Sequence, residues 1–342
     1  MKIIPTLVSL ALAIAAVTSH RMHPLSDEFI DFINSKQTLW RAGRNFHRHT
    51  PLKYLKRLAG TIKDNATFID RYAGKPPLYK HTKPPRDFDA RSKWNHCRSL
   101  NEIRDQGACG SCWAVAAVST MTDRLCIQSK GREKVHFSEL DLMSCCMFCG
   151  NPCNGGALEK AWRYGRLKGI VSGGEYNSHE GCKPYTIPPC EHGNKTHYNG
   201  MPPCGHTIPN TVCKQECEPS YKKKYNADRR KLYTYYKNTK IMEIMSDIQN
   251  NGPVSTAFFV HEDFLNYKSG IYSYVSGAAI GLHSVKLLGW GEEGGVKYWL
   301  AANSWNSDWG DRGFFKIIRG KNHLGIEDVM YAGLFKVKPK RH

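Results

Sequence analysis

Residues 106–114 read QGACGSCWA, and the rest of the chain is best understood around this stretch. Its glycines permit a tight turn, and the apolar run from Trp113 to Leu125 that follows favours a helix. Ser111 is a residue type that caps helices, which would leave Cys112 in the first helical turn. The positive end of the helix dipole favours a thiolate there, and the thiolate is the nucleophilic form of cysteine. The stretch therefore makes Cys112 a candidate nucleophile.

Cys109 lies three positions before Cys112 and leaves that interpretation open. Two free thiols in a CxxC spacing could form a redox pair or half of a zinc site. The run CCMFCGNPC, residues 145–153, also has a spacing that zinc ligands can adopt. Because the N-terminus resembles a secretion signal and no histidine pair flanks this run, disulfides are favoured over zinc.

Length and composition describe a globular protein of one large domain or two small ones, with 342 residues of which 41% are hydrophobic. Lys2 precedes an apolar run, Ile3–Val17, and small residues that allow cleavage near Ser19. This pattern predicts a signal peptide over residues 1–19, too short to span a bilayer, and no later run is apolar for long enough. The mature protein is therefore expected in the secretory pathway, where its 13 cysteines would form disulfides and leave one free thiol.

The formal charge of +19 is spread along the chain, with its densest run at Lys222–Lys231. A solvated face explains such a run, and a polyanion-binding patch is the alternative. No part of the sequence resembles a nucleic-acid-binding module, so no nucleic-acid partner is expected.

Six motifs occur in an order that resembles one known family. They are HPLSDE from His23, FDAR from Phe88, IRDQGACGSCWA from Ile103, CNGG from Cys153, YNSHEGCKPYTIPPCEH from Tyr176 and YWLAANSWNSDWGD from Tyr298. Together they are similar to the cathepsin B-like cysteine peptidases of the papain family, which are made as preproenzymes. The resemblance implies an α+β, papain-like fold with a helical left lobe, an antiparallel β-barrel-like right lobe and the active-site cleft between them. The residue pattern agrees, because short strand-like runs replace the helical pattern from about Pro253.

The same resemblance implies an inhibitory propeptide over residues 20–83 and a papain-like peptidase domain over residues 84–342. The proline-rich passage Lys75–Pro85 is expected to be extended and accessible, which suits processing near Pro84. The loop-rich region within Cys182–Cys217 resembles the occluding loop of the family, which we place at about 186–207.

The catalytic residues that the resemblance implies are Cys112, His283, Asn303 and Gln106. An imidazole can take up and return a proton near neutral pH, so His283 would act as base and then as acid. Asn303 would hold the ring through a hydrogen bond that Trp305 covers. The Gln106 side-chain amide and the Cys112 backbone N–H would receive the oxyanion of the tetrahedral intermediate.

Substrate contacts are implied at four further positions. Gly155 and Gly156 would pair with the extended main chain of the substrate. Ser284 and Val329 would shape the pocket for the second residue before the scissile bond. Because Val329 stands where the family usually has an acidic residue, apolar side chains are expected to be preferred over arginine, which would lack a counter-charge. Leu282 replaces the family's usual glycine and is expected to narrow the cleft beside the catalytic base.

The resemblance also implies a disulfide pairing, which sequence alone cannot give. The implied pairs are Cys97–Cys126, Cys109–Cys153, Cys145–Cys213, Cys146–Cys149, Cys182–Cys217 and Cys190–Cys204. This pairing uses every cysteine except Cys112, so it would make Cys109 structural and Cys112 free.

The occluding loop departs from the family pattern. Relatives often carry two adjacent histidines that bind the C-terminal carboxylate of the substrate, whereas this chain has His192 followed by Gly193. His192 could still pair with Asp105, but an arginine common late in the loop is replaced by Met201, so its usual partner Asp308 would be unpaired. These differences predict endopeptidase activity, with carboxydipeptidase activity weakened or absent.

No metal or cofactor is expected. The expected partners are protein and peptide substrates, cystatin-type inhibitors and the chain's own propeptide, and a monomer is the default. Glycosylation sequons occur at Asn65 and Asn194. The motif ANSWNSDWGD is similar to one in digestive, haemoglobin-degrading relatives, so the expected destination is a lysosome or an extracellular digestive lumen.

Two other interpretations compete with a peptidase. A disulfide-rich scaffold that only binds peptides would have no need to keep the four implied catalytic residues together. A thiol–disulfide oxidoreductase built on Cys109 and Cys112 would need a thioredoxin-like βαβ pattern, which the sequence lacks.

Overall fold

The computed structural model describes residues 22–63, 72–79, 83–190 and 211–337. The helices are α1 (Asp27–Lys36), α2 (Leu52–Leu58), α3 (Ala90–Lys93), α4 (Cys112–Gln128), α5 (Glu139–Cys145), α6 (Leu158–Leu167), α7 (Tyr225–Asp228) and α8 (Ile241–Asn251). The strands are β1 (Trp40–Ala42), β2 (Phe88–Asp89), β3 (Gly150–Asn151), β4 (Gly155–Gly156), β5 (Leu232–Asn238), β6 (Val254–His261), β7 (Tyr267–Tyr272), β8 (Ala279–Glu293), β9 (Val296–Ala302), β10 (Phe314–Ile318) and β11 (Met330–Phe335).

Helix α4 runs through the centre of the molecule, and nearly all of its residues are buried. One side packs with α5 and α6 into a helical core that includes Trp113. The other side carries charges toward the sheet, where Asp123 accepts a hydrogen bond from Lys286 of β8 at 2.7 Å. Arg124 likewise donates to Asp247 of α8 at 3.0 Å. Because a buried charge is costly without its partner, these two pairs favour one docking of the helix on the sheet.

The large sheet has the strand order β1-β7-β10-β9-β8-β6-β11-β5, with β2 paired to β8. The α+β papain-like fold predicted from the sequence is confirmed. Two details of the predicted right lobe differ. The pair β7–β10 is parallel, with Lys316 opposite Ile271, and the two end strands of the order do not pair with each other, so no barrel closes among the described strands. The end strand β1 instead comes from the N-terminal part of the chain and covers the edge of β7.

The N-terminal segment, residues 22–63, packs on the rest of the molecule through apolar side chains. Ser26 caps α1 by accepting the Phe29 N–H at 3.2 Å, and the helix buries Phe29, Ile30 and Ile33. Trp40 of β1 pairs with Gly270 of β7, and its indole is 1% exposed. This docking places α2 so that the chain following it enters the boundary between the two lobes.

Candidate active site

The site begins at the N-terminus of α4, where Cys112 is the first helical residue and is fully buried. The expected side-chain cap by Ser111 is wrong. Ser111 has φ −99° and ψ 10°, outside the extended region that a capping side chain needs, and its hydroxyl pairs with the Tyr185 hydroxyl at 2.9 Å. The helix nevertheless begins at the expected residue, so Cys112 stands at the positive end of the helix dipole.

Disulfides account for the cysteines around it. The pairs present are Cys97–Cys126, Cys109–Cys153, Cys145–Cys213, Cys146–Cys149 and Cys182–Cys217. Cys190 is also disulfide-bonded, and Cys204, the partner implied for it, lies outside the described residues. Cys112 is the one free cysteine in the described part of the chain. Because Cys109 and the run at 145–153 are disulfide-bonded, the redox-pair and zinc interpretations are wrong.

Strand pairing brings His283 and Asn303 together. His283 lies in β8, Asn303 directly follows β9, and these two strands pair antiparallel. His283 Nε2 lies 2.7 Å from Asn303 Oδ1. The indole of Trp305 lies 4.7 Å from the imidazole, centroid to centroid, and is 1% exposed. Trp305 is therefore a buried ring packed against His283, beside the hydrogen bond between His283 and Asn303.

A doubly protonated ring satisfies both hydrogen bonds of His283. Its Nδ1 lies 3.1 Å from the Leu58 carbonyl oxygen, which can only accept. Its Nε2 faces Asn303 Oδ1, which also accepts the Ser304 backbone N–H at 2.8 Å and must therefore be the amide oxygen. Both ring nitrogens consequently donate, and the arrangement fits an imidazolium cation.

The thiol of Cys112 responds to this cation. Burial raises the pKa of Cys112, but the charge of His283 and its hydrogen bond oppose burial. Further hydrogen bonds from the Ser284 backbone and the Thr61 hydroxyl act in the same direction, so the net pKa falls below the ordinary value of a thiol. The site therefore stabilises the thiolate form of Cys112 more than water does, and the thiolate is the reactive form of a cysteine nucleophile.

The Gln106 side chain is fully buried and held by hydrogen bonds on both sides of its amide. Its backbone N–H donates to the Ser304 carbonyl at 3.0 Å, and its Oε1 accepts from the Ser304 hydroxyl at 2.7 Å, which fixes the orientation of the amide. Its Nε2 then donates to the Leu58 carbonyl at 3.1 Å and to the Cys109 carbonyl at 2.6 Å. The Leu58 carbonyl oxygen of the N-terminal segment thus already accepts from the amide that the resemblance assigns to oxyanion binding.

The cleft holds residues 60–62 of the N-terminal segment by main-chain hydrogen bonds to both lobes. Gly156 N–H donates to the Gly60 carbonyl at 3.0 Å, and its own carbonyl accepts the Ile62 N–H at 3.0 Å. On the opposite wall the Leu282 carbonyl accepts the Thr61 N–H at 2.9 Å. The cleft therefore binds extended main chain in the manner of a β-strand.

The two glycines of β4 have steric reasons to be glycine. A Cβ on Gly156 would lie 2.5 Å from the ring of Trp113. Gly155 has φ +114°, and a Cβ there would lie 3.0 Å from the Gly60 carbonyl oxygen. A side chain at Gly155 would push the bound chain away from the wall, whereas one at Gly156 would displace the Trp113 ring behind the wall.

Two residues that contact the catalytic groups were missed by sequence reasoning. The Thr61 hydroxyl lies 3.2 Å from Cys112 Sγ and 2.7 Å from the Ser284 hydroxyl. The Leu58 carbonyl accepts from both Gln106 and His283. No local pattern could have identified them, because backbone carbonyls carry no sequence signal and a lone threonine is common on any surface.

A cavity of about 150 Å³ lies beside Ile62, and Val329 is one of the residues that line it. Ser284 does not line this cavity, whereas Leu282 does. Its other apolar walls are Leu158, Ala257, Phe259 and Leu324. Two carboxylates, Glu159 and Asp328, also line it, so an arginine side chain in this cavity would lie near acidic groups, which the expectation based on Val329 did not consider. Glu159 comes from α6 of the other lobe, which is why its sequence position gave no indication of the pocket.

Asp105 lines a separate cavity of about 480 Å³ together with Glu139 and Glu175. It accepts the Gly107 N–H at 2.7 Å, and burial, outweighing this bond, raises its pKa to about 6. Neither Asp105 nor Asp308 forms an ion pair within residues 22–63, 72–79, 83–190 and 211–337. The other loop residues of the prediction, His192, Gly193, Met201 and the sequon at Asn194, lie outside the described residues, as does the propeptide sequon at Asn65.

No group of three or more His, Cys, Asp or Glu side chains in the described ranges is arranged to hold a metal ion. None of the described helices is both long and apolar enough to cross a membrane.

Comparison with known proteins gives the family. Residues 84–334 match the papain family cysteine proteases, and residues 25–65 match the peptidase family C1 propeptide. A cathepsin B-like cysteine proteinase of Schistosoma japonicum is 45% identical over 326 residues, which is 93% of each chain. Cathepsin B-like cysteine proteinase 6 of Caenorhabditis elegans is 41% identical, over 91% of this chain and 83% of that protein.

Solved structures agree. ProCathepsin B S9 from Trypanosoma congolense superimposes with a TM-score of 0.76 at 30% identity, covering 92% of this chain and 99% of that one. Digestive procathepsin L 3 of Tenebrio molitor shares the fold with a TM-score of 0.64 at 20% identity, covering 90% of this chain and 87% of that one. This chain therefore belongs to the papain family of cysteine proteases, with cathepsin B-like enzymes as its relatives.

Proposed function

We propose that this chain is a cysteine endopeptidase made as a zymogen in the secretory pathway. Residues 1–19 would be its signal peptide, residues 20–83 its inhibitory propeptide and residues 84–342 the mature peptidase. One observation carries the proposal: a free, buried Cys112 begins α4 and faces a histidine whose two ring nitrogens both meet oxygen acceptors. A binding scaffold gains nothing from a thiol with a lowered pKa in this place.

The proposed reaction follows from these groups. The Cys112 thiolate attacks the carbonyl carbon of the scissile bond, and the oxyanion is held by the Gln106 amide and the Cys112 N–H. His283 gives its Nδ1 proton to the departing amine, so the C–N bond breaks and a thioester remains. Water then loses a proton to His283 and attacks the thioester, which releases the acid product and restores the thiolate.

Endopeptidase activity is supported by the continuous stretch of chain, residues 58–62, that passes over Cys112. Leu58 and Ile62 lie at the two ends of a stretch that is internal to a longer chain, and this stretch makes main-chain hydrogen bonds on both walls. A cleft that accepts continuous chain suits cleavage within polypeptides. We further propose that carboxydipeptidase activity is weakened, because His192 is followed by glycine rather than a second histidine. Rapid release of dipeptides from free C-termini, measured by mass spectrometry, would refute this second point.

The same contacts support inhibition by the propeptide. The segment fills the cleft, and its Thr61 hydroxyl and Leu58 carbonyl engage the groups that a substrate would need. Cystatin-type inhibitors would compete for this cleft in the mature enzyme, which we propose to be a monomer acting in a lysosome or a digestive lumen. Sedimentation of the mature enzyme alone tests whether it is a monomer. Sedimentation with a cystatin tests whether the two proteins form a complex.

The decisive experiment labels the acid-matured protein with a peptidyl epoxide and maps the adduct by mass spectrometry. We expect one adduct per chain, on Cys112, and its loss in a His283→Ala variant. His261→Ala is the matched control, because His261 also lies in the large sheet but does not contact Cys112 or Asn303. A folded, processed protein that takes no label at Cys112 would instead favour the peptide-binding scaffold.

A further inference from the structure

Strand β5 lies at the end of the sheet, and part of the N-terminal region covers its outer edge. β5 pairs with β11 on one side only, so its other edge has main-chain groups to satisfy. There the Gly74 N–H donates to the Tyr235 carbonyl at 2.7 Å. A Cβ on Gly74 would lie 2.2 Å from Thr234 Oγ1, so glycine suits this close approach. The chain thus adds to the sheet edge at residue 74.

Tyr79 anchors the same segment on α8. Its hydroxyl donates to Asp247 Oδ1 at 2.6 Å and accepts from Asn251 Nδ2 at 2.7 Å. Asp247 is fully buried and is also held by Arg124 at 3.0 Å, so the acceptor is both charged and fixed in place. Hydrogen bonds to a charged group are stronger than those between neutral groups.

These contacts are separate from the cleft. Residues 72–79 contact three elements: Gly74 bonds to β5, and Tyr79 bonds to α8. The third is α6, whose Arg163 guanidinium stacks over the Tyr72 ring at 4.7 Å. Within the described residues, none of the contacts of this segment reaches Cys112 or His283. The cleft and the β5 edge therefore bind two different parts of the N-terminal region.

We propose that residues 72–79 are a second docking segment of the propeptide, bound at an exosite formed by the free edge of β5 with Asp247 and Asn251. The exosite takes an extended peptide that has a glycine for the strand edge and a tyrosine for α8. This inference rests on the proposed processing near Pro84. Because Tyr79 lies shortly before that point, its docking restrains the stretch that must be cut, and its release is a step distinct from opening the cleft.

The test uses the full-length zymogen carrying Cys112→Ser, which cannot process itself, and measures amide hydrogen exchange residue by residue. Tyr79→Phe removes the hydroxyl, and Asn251→Ala removes its donor while leaving the propeptide sequence intact. Leu78→Ala is the matched control, because the Leu78 side chain is fully exposed. We expect exchange at Gly74 to accelerate about 10- to 150-fold in Tyr79→Phe, the range for losing a hydrogen bond to a charged group. Asn251→Ala removes a neutral donor from the Tyr79 hydroxyl, so a smaller acceleration of about 3- to 10-fold is expected, and no change in the control.

Exchange at Thr61 and Ile62 should be the same in all variants, because their N–H groups are hydrogen-bonded to the cleft walls and report on docking in the cleft. Added mature enzyme should also cut the Asn251→Ala zymogen faster than the unaltered one at acidic pH. Equal exchange at Gly74 in all proteins would overturn the proposal, and so would parallel acceleration at Thr61 and Ile62, which would make the propeptide one cooperative unit. The exchange result does not depend on peptidase activity, so failure of the proposed function would be recognised separately.

Discussion

Replacing Asn303 by alanine tests whether orientation of the catalytic imidazole depends on one amide oxygen. Asn303 Oδ1 lies 2.7 Å from His283 Nε2, and in the proposed mechanism the ring is the charged partner of this hydrogen bond. A hydrogen bond to a charged group contributes about 1.5–3 kcal/mol, and each 1.36 kcal/mol is a tenfold change in rate. Without it the imidazolium can turn away from Cys112, so we expect kcat/KM to fall roughly 10- to 150-fold.

The assay is hydrolysis of a fluorogenic peptide amide across pH, with active sites titrated by the epoxide and folding checked by thermal unfolding. Asn303→Asp is the informative control because it keeps an acceptor at the same place. It should retain most of the activity and move the alkaline limb of the profile to higher pH, since a carboxylate stabilises the imidazolium. Near-normal activity in Asn303→Ala, or an aspartate variant as poor as the alanine variant, would refute the reasoning.

Three further variants test other parts of the site. Gly156→Ala would place a methyl group 2.5 Å from the Trp113 ring, so we expect a loss of about 1–3 kcal/mol in the free energy of unfolding, read by denaturant titration. Glu159→Gln should lower kcat/KM about two- to fivefold for substrates with arginine at the second position before the scissile bond, and leave phenylalanine substrates unchanged; equal effects on both would contradict a role in the pocket. Asp105→Asn should raise the free energy of unfolding by about 1–2 kcal/mol at pH 7 and not at pH 4. The direction of this change follows from the raised pKa of Asp105, about 6, because the folded state holds the proton more tightly than the unfolded chain does. The stability that the protonated carboxyl contributes to the folded state is therefore full below pH 4 and is lost as the pH rises through 6. An Asp105→Asn variant whose free energy of unfolding rises as much at pH 4 as at pH 7 would disprove the raised pKa of Asp105.

Some features of the site follow from short stretches of sequence. The glycine-bearing turn and the apolar run after it fix where α4 begins, and therefore where Cys112 stands, because turn and helix preferences act over a few residues. The expected capping by Ser111 failed for an equally local reason, since its backbone torsions are not those of a capping residue. His283 and Asn303 could be selected only through motifs, since nothing local distinguishes them from the other histidines and asparagines.

Long-range packing decides the contacts that local patterns do not encode. Glu159 lines the pocket because α6 faces β6 and β11 across the lobe boundary, and Thr61 meets Cys112 because docking of the N-terminal segment directs the chain into the cleft. Residues 72–79 can dock on β5 because the strand order leaves β5 at the end of the sheet, with one edge not paired to another strand.

The sequence by itself determined the family and the α+β fold class, through the order of its motifs, and it singled out Cys112 as the proposed nucleophile. The tertiary structure alone decided which oxygen atoms meet the two ring nitrogens of His283, which carboxylates line the cavity beside Ile62, and where the N-terminal region docks. The physical reason is that hydrogen bonds and charges act through space over a few ångströms, whereas sequence patterns report neighbours along the chain.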